Sequence, residues 1–306
     1  MKYLGVSEIA KKWGLSERSV RNYCNQGRVP GAILSGKTWM IPNNATKPER
    51  KGKKIVKKQL LDILKEEKES KFKGGIYHKI QIELTYNSNH IEGSRLTHDQ
   101  TRLIYETNTL GLENEVVNVD DILETANHFR CVDLIIDNAN YAITESLIKK
   151  LHMILKNGTT DSRKSWFSVG NYKKLPNEVG GLETTKPKEV QKEIKLLLDW
   201  YNDKEIITFN DIVEFHYRFE RIHPFQDGNG RVGRLVMFKE CLKHNIVPFI
   251  IDEDLKLYYY RGLKEWNNEK GYLIDTCLAA QDKFKKYLEY FEIEYDKWYE
   301  NKYKIV

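Results

Sequence analysis

Two apolar stripes at helical spacing frame twelve residues that neither helix can absorb: Ile212, Val213, Phe215, Phe219 and Ile222 precede them, and Leu235, Val236, Phe238, Cys241 and Leu242 follow. The enclosed stretch, residues 223 to 234, reads His-Pro-Phe-Gln-Asp-Gly-Asn-Gly-Arg-Val-Gly-Arg. Pro224 disfavours helical angles at His223 and so helps end the first helix, while Gly228 and Gly230 tolerate positive φ and the close approach of a ligand to the backbone. The chain is committed here to a helix, a glycine-rich loop and a second helix, with backbone N–H groups free to converge on an anion.

The second helix is expected to begin near Arg231, which puts Arg231 and Arg234 in its first turn. A helix N-terminus already carries about half a positive charge, so two arginines there cost stability unless an anion sits among them. Phosphate meets the free N–H groups, the helix dipole and the guanidinium forks at once. Asp227 has two readings: an Asx turn or helix cap, or the single carboxylate that holds magnesium together with phosphate oxygens and water. His223 is either a buried histidine satisfied by a carbonyl or, with an ordinary pKa of about 6.5, a base for a hydroxyl proton.

The pattern His-Pro-Phe-x-Asp-Gly-Asn-Gly-Arg-x-x-Arg resembles the signature of the Fic domain, with every defining position filled. The resemblance implies transfer of a nucleotide fragment, most often AMP from ATP, onto a Ser, Thr or Tyr hydroxyl of a protein. It makes His223 the base and Asp227 the magnesium ligand. Phe225 would anchor the ATP-binding loop in the core, while Gly228, Asn229, Gly230 and Arg231 contact the phosphates. Arg234 would bind the terminal phosphate and orient the α-phosphate. The intact Gly-Asn-Gly favours AMP transfer over the terminal-phosphate transfer of the related Doc toxins. Tyr260 and Asn267 stand two helical turns apart and resemble the family's adenine contact; a core tyrosine and a surface asparagine are the other reading.

A second segment answers the first. Gly93 suits a helix terminator, and Thr97 to Gln100 is a capping box for the next helix. Glu92 therefore sits at a helix C-terminus, where the dipole disfavours a negative charge as it disfavours Arg234 at an N-terminus. Two misplaced charges of opposite sign suggest that they meet. Ser88-x-x-x-Glu92-Gly93 resembles the inhibitory motif of Fic proteins, which implies that Glu92 pairs with Arg234 and displaces the terminal phosphate, steadied by Ser88. In some similar proteins the same glutamate positions a water that removes AMP from a modified target. An ordinary helix end with a solvated glutamate is the alternative.

Residues 170 to 181, with Gly170-Asn171-Tyr172-Lys173 followed by Leu175-Pro176-Asn177-Glu178-Val179-Gly180-Gly181, break the helical pattern and suit a hairpin. By resemblance this is the family's flap, which would register a target's backbone beside His223 by strand addition. Lys173 stands where the usual Gly-x-Tyr-Arg opening has arginine.

Charge is segregated. Residues 1 to 60 hold 14 Lys or Arg against 3 Asp or Glu, net +11, so within a total of +6 the remainder is −5. Val6, Ile9, Ala10 and Trp13 give one helical face, Gly14 turns the chain, and Ser16 caps a second helix with Val20 and Tyr23. Arg18, Arg21 and Asn22 fall on its exposed side, suited to phosphates and base edges. Ile33-Leu34 and Thr38-Trp39-Met40-Ile41 form a small hairpin or wing. Residues 1 to 46 resemble excisionase and MerR-like helix-turn-helix modules, which implies DNA as a partner; a docking or dimerising module with a solvated basic face is the other reading.

The expected organisation is a helix-turn-helix domain at 1–46, a basic linker at 47–58, and an all-α Fic core with a β-hairpin flap at 59–306. Ile143 to Leu155 and Tyr272 to Tyr287 read as core helices. Cys24, Cys131, Cys241 and Cys277 lack metal-ligand spacing and sit among apolar neighbours, as reduced core thiols do. With no bilayer-length apolar run and no signal peptide, a cytoplasmic location without a membrane partner is expected. The function expected is an autoinhibited, magnesium-dependent adenylyltransferase acting on a protein target and on itself, with homo-oligomers open. The alternatives are a DNA-binding regulator whose Fic domain senses nucleotide or modifies itself, and a hydrolase that removes AMP through Glu92.

Overall fold

The computed structural model describes residues 2–36, 38–48, 58–111 and 116–295. The chain divides into two compact units, Met1–Lys57 and Lys58–Val306. Most of the basic linker expected at 47–58 lies outside the described residues, as does the end of the chain from 296.

In the first unit, β1 (Tyr3–Gly5), α1 (Val6–Trp13), α2 (Glu17–Asn25), β2 (Ile33–Ser35) and β3 (Thr38–Pro42) follow in order. Gly14 ends α1 in the left-handed region (φ 61°) and donates to the carbonyls of Ala10 and Lys11. Ser16 then caps α2, its side chain accepting from the Ser19 N–H. The three strands form an antiparallel sheet in the order β1-β3-β2. The β2–β3 hairpin was legible from its apolar runs; β1 was not, because three residues leave no alternation to read. Val6, Ile9, Ala10, Trp13, Val20, Cys24, Val29 and Ile41 make this unit's own small core. Arg18, Arg21 and Asn22 are exposed on α2, with Arg21 paired to Glu17 at 2.7 Å.

The second unit is mostly helical: α3 (Leu60–Ser70), α4 (Ile76–Ile91), α5 (His98–Thr107), α6 (Val119–Asp137), α7 (Glu145–Leu155), the hairpin β4 (Glu178–Val179) and β5 (Leu182–Glu183), then α8 (Val190–Asn202), α9 (Phe209–Ile222), α10 (Asn229–Lys243), α11 (Glu253–Glu265) and α12 (Gly271–Tyr290). Its centre is α10, which packs against α9, α6, α7 and α4. Every residue from Asn229 to Leu242 is buried, so α10 is no one-sided amphipathic helix. Its interior charges are paired instead: Lys239 Nζ donates to Glu240 at 2.6 Å and to the Tyr141 carbonyl at 2.5 Å, and the Tyr201 hydroxyl donates to Glu240 at 3.0 Å. All four cysteines are free and buried. No described helix is long and apolar enough to cross a membrane.

Candidate active site

The loop between α9 and α10 is held from below by an aromatic anchor. Phe225 is fully buried and its ring lies parallel to that of His152, with centroids 4.0 Å apart. His152 accepts from the Gly170 N–H at 2.9 Å and contacts the Asp227 carbonyl at 3.2 Å. Burial drives its pKa down to about 3, so it stays neutral and serves as a spacer of fixed tautomer. The Asn229 side chain closes the loop on itself, accepting from the Phe225 N–H at 2.8 Å and donating to the Phe225 carbonyl at 2.9 Å. Its amide is thereby engaged, which leaves its backbone N–H for any phosphate contact.

Helix α10 begins at Asn229, not near Arg231, with Gly228 as its cap at φ 80°. Arg231 is thus in the first turn and Arg234 lies one turn deeper. At Gly230 a Cβ would stand 2.2 Å from Glu92 Oε1, so a larger residue there would displace the glutamate from its present position. His223 caps α9 at φ 50° and ψ 63°, a left-handed conformation costly for a non-glycine residue and doubly so before proline. It is held by its own N–H to the Phe219 carbonyl and by a Lys173 N–H that donates to the Pro224 carbonyl, each at 2.9 Å. Burial first, and then the Lys173 charge, lower the His223 pKa to about 4, against the opposing pull of Glu92 and Asp227. The imidazole is therefore unprotonated at neutral pH, as a base must be.

Neither arginine lacks an anion. Arg234 is buried and donates to Ser88 Oγ at 3.0 Å, to the Ser88 carbonyl at 2.9 Å and to Glu92 Oε1 at 2.7 Å. Arg231 pairs with Glu124 and, at 3.2 Å, with Asp227. Lys156, buried at the end of α7, reaches Glu124 at 2.5 Å and Asp227 Oδ2 at 2.7 Å. These two cations hold the Asp227 carboxyl far below the usual carboxylate range.

Glu92, His223, Asp227, Gly228, Asn229, Gly230, Arg234 and Tyr260 all line one cavity of about 520 Å³, together with Val179 and Gly180 of the hairpin. Phe225, Arg231 and Ser88 stand behind this wall as supports. Asn267 lies two residues beyond the end of α11; it is exposed and accepts from the Tyr217 hydroxyl at 3.2 Å. The three consecutive tyrosines resolve by burial. Tyr258 is exposed, and Tyr260 faces the cavity. Tyr259 is buried, contacting His216 at 2.7 Å and Arg234 at 3.5 Å.

Sequence reading missed Glu124, His152, Lys156 and Glu220, which reach the loop from other helices or, for Glu220, from inside the α9 stripe. Glu220 occupies a helical position one turn before His223, a signal in principle, but nothing in the pattern separates it from a solvated glutamate. Among the described residues no three His, Cys, Asp or Glu side chains gather as a metal cluster. Asp227 does suit magnesium held mainly by phosphate and water: it is ionised, faces the cavity, and both Lys156 and Arg231 engage its Oδ2.

Residues 142–241 match the model of the Fic/DOC family. The chain is 27% identical over 187 residues to protein adenylyltransferase fic-1 of Caenorhabditis elegans, covering 58% of this chain and 35% of that one. It is 28% identical over 193 residues to protein adenylyltransferase Fic of Nematostella vectensis, covering 60% and 42%. The chain thus spans less than half the length of these curated relatives. A crystal structure of a Fic domain containing signaling protein from Bacteroides thetaiotaomicron superposes with a TM-score of 0.57 at 28% identity, over 75% of this chain and 90% of that one. Fic-1 of C. elegans shares the fold at 18% identity, with a TM-score of 0.58 over 76% and 72% of the two chains. The match to the Fic/DOC family model thus falls on residues 142–241, within a larger helical unit that shares the fold of these structures.

Proposed function

We propose that this chain is an autoinhibited protein adenylyltransferase that moves AMP from ATP to a hydroxyl of a protein target and of itself. The observation that carries the reading is the meeting, on one cavity wall, of an unprotonated His223 and the Arg234–Glu92 contact. His223 takes the proton of a Ser, Thr or Tyr hydroxyl, whose oxygen then forms a bond to the α-phosphorus of ATP while the bond to the departing pyrophosphate breaks. The backbone N–H groups at the start of α10, from Gly228 to Gly230, and Arg234 bind the phosphates, and Arg231 steadies Asp227. Asp227 would hold Mg²⁺, which supplies charge neutralisation on the phosphate oxygens. Tyr260 offers its ring to the adenine, and the hairpin edge receives the target's backbone. With Glu92 on Arg234, the terminal phosphate has no guanidinium to meet, so the resting chain is inhibited.

The test is labelling of protein with α-phosphate-labelled ATP and magnesium. Glu92→Gly should label itself more strongly than the natural chain, and a further His223→Ala should abolish the label. Release of AMP from a modified target in a Glu92-dependent manner, without forward labelling by either form, would favour the hydrolase instead.

A second reading concerns the first unit alone, as a helix-turn-helix DNA-binding module. It is favoured by Arg18, Arg21 and Asn22 standing exposed together on α2, beside a small sheet that ends in the β2–β3 hairpin. Mobility shift of duplex DNA by the full chain tests it.

A further inference from the structure

Lys173 is an unusual group for the place it occupies. It is 3% exposed, and among the described residues it forms no ion pair. Its ammonium donates instead to neutral oxygens: Asn177 Oδ1 at 2.6 Å, Thr184 Oγ1 at 2.6 Å and, more loosely, the Ile222 carbonyl at 3.4 Å. Its backbone N–H donates to the Pro224 carbonyl. Asn177 precedes β4 and Thr184 follows β5, so one side chain ties both legs of the hairpin together. The carbonyls of Ile222 and Pro224 flank His223, so the same residue ties the hairpin to the strained turn that carries the base.

We propose that Lys173 is the positioning residue of this site, clamping the base of the β4–β5 hairpin against the His223 turn and placing a positive charge beside the imidazole. An ammonium without a carboxylate partner is costly to bury, and burial lowers its pKa to about 8. A neutral side chain could make the same hairpin contacts at less cost, so the charge itself calls for a role. That role follows from the groups facing His223. Glu220 on α9 lies 4.0 Å from its Nδ1, and Glu92 at the end of α4 and Asp227 in the loop both act on the ring from nearby. Glu92 and Asp227 favour an imidazolium; Lys173 is the nearby cation that opposes them. The clamp thus sets two things together, the distance from hairpin edge to base and the protonation of that base. Asn177 adds to it by donating to the Phe225 carbonyl at 3.0 Å.

The assignment presupposes the transfer chemistry proposed for His223, and its test separates the two. In the Glu92→Gly chain, Lys173→Met should raise the His223 midpoint, followed by NMR of ¹⁵N-histidine-labelled protein, by about 1 pH unit. The acid limb of self-labelling should move with it. Amide exchange at Val179 should quicken by about tenfold or more as the hairpin loses its hydrogen bonds. Lys173→Arg, which keeps the charge, should leave the midpoint where it was, and it guards against reading a folding defect as a loss of charge. An unchanged His223 midpoint in a folded Lys173→Met protein, whatever its rate, overturns the proposal. If the Glu92→Gly parent transfers no label, the transfer reading fails, while the NMR midpoint still decides the role of Lys173.

Discussion

Arg234 Nη2 and Glu92 Oε1 lie 2.7 Å apart although 142 residues separate them in the chain. The contact joins the second turn of α10 to the end of α4, where Glu92 sits at the helix terminus that its own dipole disfavours for a negative charge. Removing the glutamate should therefore free a binding site and leave a buried guanidinium underpaired. Glu92→Gly is expected to raise self-labelling on the order of 10- to 100-fold, as loss of a charge-assisted hydrogen bond implies. The same variant should lose about 1–3 kcal/mol of stability in thermal unfolding without nucleotide. A protein that loses stability but gains no labelling would mark the pair as structural only.

The imidazole of His223 should not behave as an ordinary histidine. Held near 4, it remains a competent base well below neutrality, and Glu92→Gly removes one of the carboxylates that raise it. The pH–rate profile of that variant is expected to stay level from pH 8 to about pH 5 and to fall only below. An acid limb centred near pH 6.5 would sink this account of the site.

Glu220 should make the protein less stable as pH rises. It is buried, and burial first, then Glu92, push its pKa up to about 8, with Arg234 opposing. An unfolded glutamate titrates at about 4.3, so between about pH 4.3 and pH 8 the native state binds more protons than the unfolded state, and this group's contribution declines through that window. Glu220→Gln should raise the thermal midpoint above pH 8 and leave it little changed at pH 4. Parallel stability curves for the two proteins would contradict the assignment.

Asp227 should govern metal use. Asp227→Asn is expected to lower labelling by at least about 100-fold, since the lost charge neutralisation is worth several kcal/mol. Independently of activity, it should weaken the binding of Mn²⁺ measured by electron paramagnetic resonance in the presence of ATP. Equal Mn²⁺ affinity in both proteins would remove Asp227 from the metal site.

For the first unit, DNA retention should fall steeply with salt, because each neutralised phosphate contributes a slope of about 0.9 in log–log form. Arg18→Ala and Arg21→Ala should each reduce that slope by roughly this amount. Retention that ignores salt would count against the module's binding DNA through these side chains.

By itself the sequence determined much of what depends on neighbours along the chain. Pro224 helped to end one helix, Thr97 and Gln100 formed their capping box, and Gly93 stopped α4 at Glu92, because these preferences act within a few residues; the start of α10 at Asn229, expected near Arg231, was read two residues late. Even the pairing of Glu92 with Arg234 was legible, since each residue offended a local rule that only a distant partner could repair. What the sequence left open were side chains that offend nothing where they stand. Lys156 and Glu124 drew no reading at all, Lys173 read as a change in a flap motif, and Asn267 as one more step of a helix that in fact ends at Glu265. Only packing decides these, because burial removes the water that would otherwise satisfy each charge and so fixes which oxygen every ammonium must find. The tertiary structure turned a phosphate loop with a rival glutamate into three sets of contacts around one cavity: Arg234 with Ser88 and Glu92, Asp227 with Lys156 and Arg231, and Lys173 with the hairpin and the His223 turn.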